Sequence, residues 1–169
     1  ILVGSANSPR SHRNPFTYQE RKHFISSSFP EQEHRLLIQG LEDSFYNDPM
    51  WLKNSQLIVN HIVEENHHFR NDPRIGLIGY NKDNTSYYLK KFPQWTSVSV
   101  RQDRILSATQ MREAYFSNIS YSWLKASDDL ITRSVKDSLT KFKETQDYKN
   151  LLDEYETIRS YQSRWKEIP

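Results

Sequence analysis

Short apolar runs, each too brief for a helix, recur along this chain between stretches that carry helix-start signals. This alternation restricts the fold more than any other feature. Ile1–Gly4 (ILVG), Leu36–Ile38, Ile75–Tyr80 (IGLIGY) and Ser97–Val100 read as strands. Thr17-x-x-Glu20 is a capping box, in which a hydroxyl and a carboxylate each accept from the other residue's backbone N–H; it predicts a helix through about Ser28. Asp48-Pro49 reads as an N-cap with proline at the first helical position, leading a helix that carries Leu52, Leu57, Val59, Ile62 and Val63. A short helical piece is expected around Tyr87–Phe92, stopped by Pro93, and Ser107-x-x-Gln110 opens a further helix. Strands separated by helices at this spacing make parallel βαβ units, so the fold class is α/β. Ligands of such sheets collect where strands end and loops enter helices. The loops after Gly4, Ile38 and Val100 are therefore the places to look.

From about Asp128 the pattern changes. Glycine is absent and the strands stop, while Tyr148, Leu151, Tyr155, Ile158, Gln162 and Trp165 recur at helical spacing. Residues 1–127 are thus expected to form an α/β core, and 128–169 a C-terminal helical segment packing one stripe on it. A chain of 169 residues suffices for this, and aromatic residues, 13% of the total, carry much of a modest 36% apolar content. The 23 basic and 21 acidic residues are interspersed, which argues against a nucleic-acid or membrane-surface binder with a concentrated basic face. No apolar run approaches the roughly 20 residues of a membrane span, and no signal-peptide pattern is visible. Without cysteine there is no disulfide and no thiolate site, which suits a reducing cytoplasm. A first residue inside a strand leads us to expect a further segment before Ile1.

An oddly placed cation stands in ILSATQMREAYF. With Ser107 as N-cap, Arg112 lies near the positive end of the helix dipole, where a cation costs roughly 0.3–1 kcal/mol. Ser107, Thr109 and Arg112 would direct hydroxyls, free N–H groups and a guanidinium fork at one point, a match to phosphate oxygens. The alternative is an ordinary capped helix whose arginine pairs with a surface carboxylate. Gly4, Ser5, Ala6 and Asn7, small residues directly after a strand, let a ligand approach the backbone, or simply make a tight turn. Arg10, His12 and Arg13 form a basic loop at the same edge, or a solvated charge cluster. Arg21 is a second cation in a first helical turn, with Glu20 or Asp83 as candidate partners. In EDSFYNDPMW, Asp43 can accept from an amide or ribose and Trp51 can stack on a flat ring; an Asx-rich turn with a core tryptophan is the plainer reading. The six histidines show no metal-ligand spacing, and neither a nucleophile elbow nor a P-loop is present.

The order of these motifs carries a resemblance. GSAN, SHRNPFTYQER, EDSFYNDPMW, IGLIGYNKDNTSYYLKKFPQW and ILSATQMR follow one another as in the nicotinamide mononucleotide (NMN) adenylyltransferases, specifically the adenylyltransferase domain of bacterial proteins that also carry a Nudix hydrolase domain. The resemblance runs from Ile1 to Pro169. It implies a Rossmann-like nucleotidyltransferase fold and a reaction joining NMN and ATP into NAD and pyrophosphate, by direct in-line attack of the NMN phosphate on the ATP α-phosphorus. Mg²⁺ is implied as cofactor, bound mainly through substrate phosphates. Arg112 and Arg13 are implied at the reacting phosphates, with Ser107 and Thr109 on ATP. Gly4, Ser5, Ala6 and Asn7 would lie against the NMN phosphate and ribose, Asp43 and Trp51 would meet the nicotinamide, and Arg21 would be structural.

One family element has no counterpart: a first strand running into Gly-Arg-Phe-x-Pro-x-His-x-Gly-His, expected to lie before Ile1. No Nudix motif is present either, and the tail DYKNLLDEYETIRSYQSRWKEIP resembles the helix and linker leading to such a domain. A covalent Nudix domain is therefore the implied partner, with no nucleic acid and no membrane, and homo-oligomerisation left open. Two other readings stay open: a related nucleotidyltransferase with another acceptor, and a non-catalytic nucleotide-binding or scaffold domain.

Overall fold

The computed structural model describes residues 1–66, 73–79, 89–100, 107–117 and 131–166. Two parallel strand pairs carry the α/β character. β1 (Leu2–Val3) pairs with β2 (Gln39–Gly40), and β3 (Gly76–Gly79) pairs with β4 (Thr96–Ser99) with Gly76 opposite Thr96. β2 lies just beyond the apolar run Leu36–Ile38 expected to be the strand. Burial and pairing have separated here: Ile38 is the buried residue, while the ladder is set by Gln39 N–H donating to Ile1 and Leu41 N–H donating to Val3, both at 2.9 Å. Gly40 is required by close approach, since a Cβ there would stand 2.8 Å from that of Ala6 in the loop after β1.

The helices begin where their capping residues allow. α1 (Tyr18–Ser28) has both halves of the Thr17/Glu20 box. α2 (Asp48–Glu65) is capped by Asn47, whose side chain accepts from Met50 N–H at 3.1 Å; Asp48, expected as the cap, is instead the first helical residue, its negative charge suiting the dipole. α3 (Ala108–Phe116) starts after Ser107, which accepts from Gln110 N–H. α4 (Arg133–Phe142) and α5 (Gln146–Lys166) complete the chain, Thr145 accepting from Tyr148 N–H at the start of α5. The helical piece near Tyr87, the loop at 101–106 and the division at 127/128 lie mostly or wholly outside the described residues.

The main core lies between helices. Tyr115 and Phe116 of α3, Leu139 and Phe142 of α4, and Tyr148, Leu151 and Tyr155 of α5 are buried together, with Phe16 and Phe24 packed against them. Phe116, only 1% exposed, stacks on both Tyr148 and Tyr155 with ring centroids 5.6 Å apart. Buried phenols need partners: the Tyr115 hydroxyl donates to the Leu139 carbonyl at 2.8 Å and that of Tyr148 to the Tyr115 carbonyl at 3.2 Å. Burial pushes the Tyr115 phenol well above its ordinary range. The expected stripe on α5 holds for Tyr148, Leu151 and Tyr155, but Gln162 and Trp165 are exposed. Among the described residues no helix is long and apolar enough to cross a membrane.

Candidate active site

Two groups of expected site residues are built by different means. The first is the loop leaving β1. Ser5, rather than Gly4, adopts the left-handed conformation, with φ of 52°. A non-glycine residue holds that conformation only where surroundings impose it. Here they do. Ser5 N–H and hydroxyl donate to Oδ1 and Oδ2 of Asp43 at 3.2 and 2.6 Å, and the Arg21 guanidinium donates to the carbonyls of Gly4 (2.8 Å) and Ser5 (3.0 Å). The Asn7 amide donates to Glu42. Among the described residues Arg21 forms no ion pair with Glu20, and Asp83 lies outside the described residues; Arg21 clamps the loop. Gly4 has open space where a Cβ would stand, with nothing within 4 Å. Trp51, half-buried, packs against Phe92 (6.0 Å between centroids), and Phe92 stacks on Trp95 at 4.4 Å and 7°.

The second group lies around a cleft of about 580 Å³ whose lining includes His12, Arg13, Thr109, Arg112, Phe116, Tyr155, Arg159 and Gln162. Arg13 and Arg112, about a hundred positions apart in sequence, line this cleft together with Thr109. Ser107 caps the same helix, although it does not line the cleft. Arg112 donates to the Thr109 hydroxyl at 3.2 Å. Among the described residues neither Arg13 nor Arg112 forms an ion pair with a carboxylate, so the surface-pairing alternative for Arg112 finds no support there. Among the described residues Glu113 is the one carboxylate on the lining.

The loop carrying Arg13 is fastened on both sides. Arg10 makes a two-pronged contact with Glu20 (2.6 and 2.9 Å), donates to the Pro15 carbonyl and reaches Asp147 at 2.9 Å. Burial alone would raise the Glu20 pKa, but hydrogen bonds from Arg10 and Thr17 hold it below the ordinary carboxylate range. His12 is tied to Glu154 of α5: its backbone N–H donates to Oε2 at 3.1 Å and its ring Nδ1 lies 2.9 Å from Oε1. Arg10 and His12, read in sequence as part of a basic cluster, are therefore anchors, which leaves Arg13 presented to the cleft.

Sequence reasoning missed the wall supplied by α5. Tyr155 and Gln162 read in sequence as packing residues, and Arg159 as one charge among many on a helix. The detectable signal was its place one turn beyond Tyr155. Beside the Glu113 carboxylate, the cleft contains hydroxyl, amide, imidazole and guanidinium groups, and among the described residues no cluster of three or more His, Asp or Glu gathers to cage a cation. Such a lining suits phosphate oxygens and not a divalent ion held by protein ligands.

No protein-family model matches the chain. A nicotinamide/nicotinic acid mononucleotide adenylyltransferase of Acinetobacter baylyi is 35% identical over 157 residues, which is 92% of this chain and 77% of the relative. Two crystal structures of a bifunctional NMN adenylyltransferase/ADP-ribose pyrophosphatase from Francisella tularensis, one complexed with AMP and a manganese ion, superpose over the whole chain. Their TM-scores are 0.80 and 0.81, at 27% and 26% identity. The chain spans about half the length of those solved proteins, 48% and 47%. With its Rossmann-like α/β architecture shared throughout and the expected motifs in order, the chain belongs to the nicotinamide/nicotinic acid mononucleotide adenylyltransferase family of nucleotidyltransferases.

Proposed function

We propose that the chain carries the adenylyl-transferring core of an enzyme that makes NAD and pyrophosphate from NMN and ATP. An oxygen of the NMN phosphate attacks the α-phosphorus of ATP in line, the bond from that phosphorus to the α,β-bridging oxygen breaks, and pyrophosphate leaves with the electron pair. No covalent enzyme intermediate is formed. Such a reaction asks of the protein mainly alignment and cationic groups where charge accumulates. The observation that carries the reading is the convergence of Arg13 and Arg112 on one cleft, without carboxylate partners among the described residues. Close cations without counterions repel, and a polyphosphate removes that repulsion.

On this reading Ser107, Thr109, Arg112 and Arg13 receive ATP. Gly4, Ser5, Ala6 and Asn7 lie against the NMN phosphate and ribose, the open face of Gly4 giving the phosphate room. Asp43 and Trp51 meet the nicotinamide; a carboxylate has about four acceptor sites, so the bonds from Ser5 leave capacity for a ligand amide. The substrate phosphates would carry Mg²⁺, which would supply charge neutralisation when bound. Residues 1–127 would be the catalytic core, completed by a further strand bearing the His-x-Gly-His loop. Residues 128–169 would lead to a covalent Nudix domain in a cytoplasmic protein.

The test is to incubate the full-length protein with ATP, NMN and Mg²⁺ and follow NAD, with nicotinic acid mononucleotide as competitor. NAD formation is expected. Nucleotide binding without product would leave a non-catalytic binding domain.

A further inference from the structure

We infer that Arg159 of α5 is a third guanidinium for the triphosphate, so that the C-terminal helix completes the nucleotide cleft; this rests on the adenylyl-transfer reading. Arg159 stands on the lining with Arg13 and Arg112, although the three come from a loop, from the start of α3 and from the middle of a helix far along the chain. Among the described residues none of the three forms an ion pair. Arg159 is held in place from within its own helix: its Nη1 donates to the Tyr155 hydroxyl at 2.9 Å, and its guanidinium carbon lies 5.6 Å from the Tyr155 ring centroid. Tyr155 in turn is buried and stacked on Phe116. The guanidinium is thus fixed to the core by one hydrogen bond, and most of its N–H donors have no partner among the described residues.

Three converging guanidinium groups carry a formal charge of about +3, more than the roughly −2 of a monophosphate. They fit a chain of phosphates, whose charge is spread over several groups. Gln162, one turn further along α5, extends the same wall with an amide. The ligand class is therefore a polyphosphate, with Arg13 and Arg112 reaching it from one side and Arg159 from α5.

The experiment uses the full-length protein and its Arg159→Ala, Arg159→Lys and Arg164→Ala variants. Arg164 lies on the same helix over the Tyr161 ring, away from the cleft lining, and controls for loss of one positive charge. Equilibrium binding of inorganic tripolyphosphate and the KM values for ATP and NMN are measured, with thermal unfolding alongside. Arg159→Ala is expected to weaken tripolyphosphate binding and raise the ATP KM by about 10-fold or more, with the NMN KM and unfolding temperature near those of the parent. Arg159→Lys should recover part of the loss, and Arg164→Ala should change neither. Tripolyphosphate binding unchanged in Arg159→Ala, or weakened equally in Arg164→Ala, overturns the assignment. A parent that binds tripolyphosphate through Arg159 yet forms no NAD supports it while removing the proposed reaction. A parent that does not bind tripolyphosphate overturns the assignment of Arg159, whereas NAD formation alone decides the proposed reaction.

Discussion

Glu154 holds His12 at two points, its carboxylate accepting from the backbone N–H at 3.1 Å and lying 2.9 Å from ring Nδ1. These residues are 142 positions apart, so the contact joins the loop after β1 to α5 and fixes the segment that presents Arg13. Glu154→Ala should cost roughly 1–2 kcal/mol in stability, since the pair is only partly buried, and should raise the KM for ATP. A double-mutant cycle with His12→Ala checks the coupling by urea unfolding; an interaction above about 0.5 kcal/mol is expected. Strict additivity would mean that the pair does not act as a unit.

Arg112 donates to Thr109, and none of its other donors has a described protein partner. Arg112→Ala should therefore leave the unfolding temperature nearly unchanged while lowering kcat/KM for ATP roughly 10- to 100-fold. Steady-state kinetics of NAD formation decide it. Unchanged kinetics would remove Arg112 from the site.

Asp43 serves the left-handed Ser5, whatever else it binds. Asp43→Ala is expected to cost about 1–3 kcal/mol because it strips the Ser5 N–H and hydroxyl, and the Ser8 hydroxyl at 3.4 Å, of their acceptor. In that background Ser5→Gly should stabilise by about 1 kcal/mol, since the strain of a Cβ at φ 52° is relieved and no hydroxyl bond to Asp43 remains to be lost. Chemical denaturation of both single variants and the double variant measures this. If Asp43→Ala altered NMN binding with no loss of stability, its role would be recognition alone.

Acid should loosen the Arg10–Glu20 clamp. The folded pKa of Glu20 lies below its ordinary 4.5, so its contribution is fully present above that value and is lost as pH falls through the lower folded value. Glu20→Gln should lower stability at neutral pH and flatten the decline between neutrality and about pH 3. Unfolding titrations across that range test the slope, and parallel curves for the two proteins would assign the decline to other groups.

Local chemistry made much of this readable in advance. The Thr17/Glu20 box and the Ser107 cap depend on residues three positions apart, so sequence spacing alone locates those helix starts. Arg112 was conspicuous for a similarly local reason, a cation set against a helix dipole. Where two neighbours compete for one role, as Asn47 and Asp48 do, sequence names the helix but not the cap.

What tertiary structure decided is which side chains share a space. Arg10 and Arg13 look alike in SPRSHRNP, yet Glu20 and Asp147 engage the first and leave the second facing the cleft. Likewise, packing of Tyr155 against Phe116 brings Arg159 to the cleft that Arg112 lines. Hydrogen-bonded caps and apolar periodicity are short-range and are written in spacing. The field inside a cleft is a sum over charges brought together from distant positions, and it exists only once the core has closed.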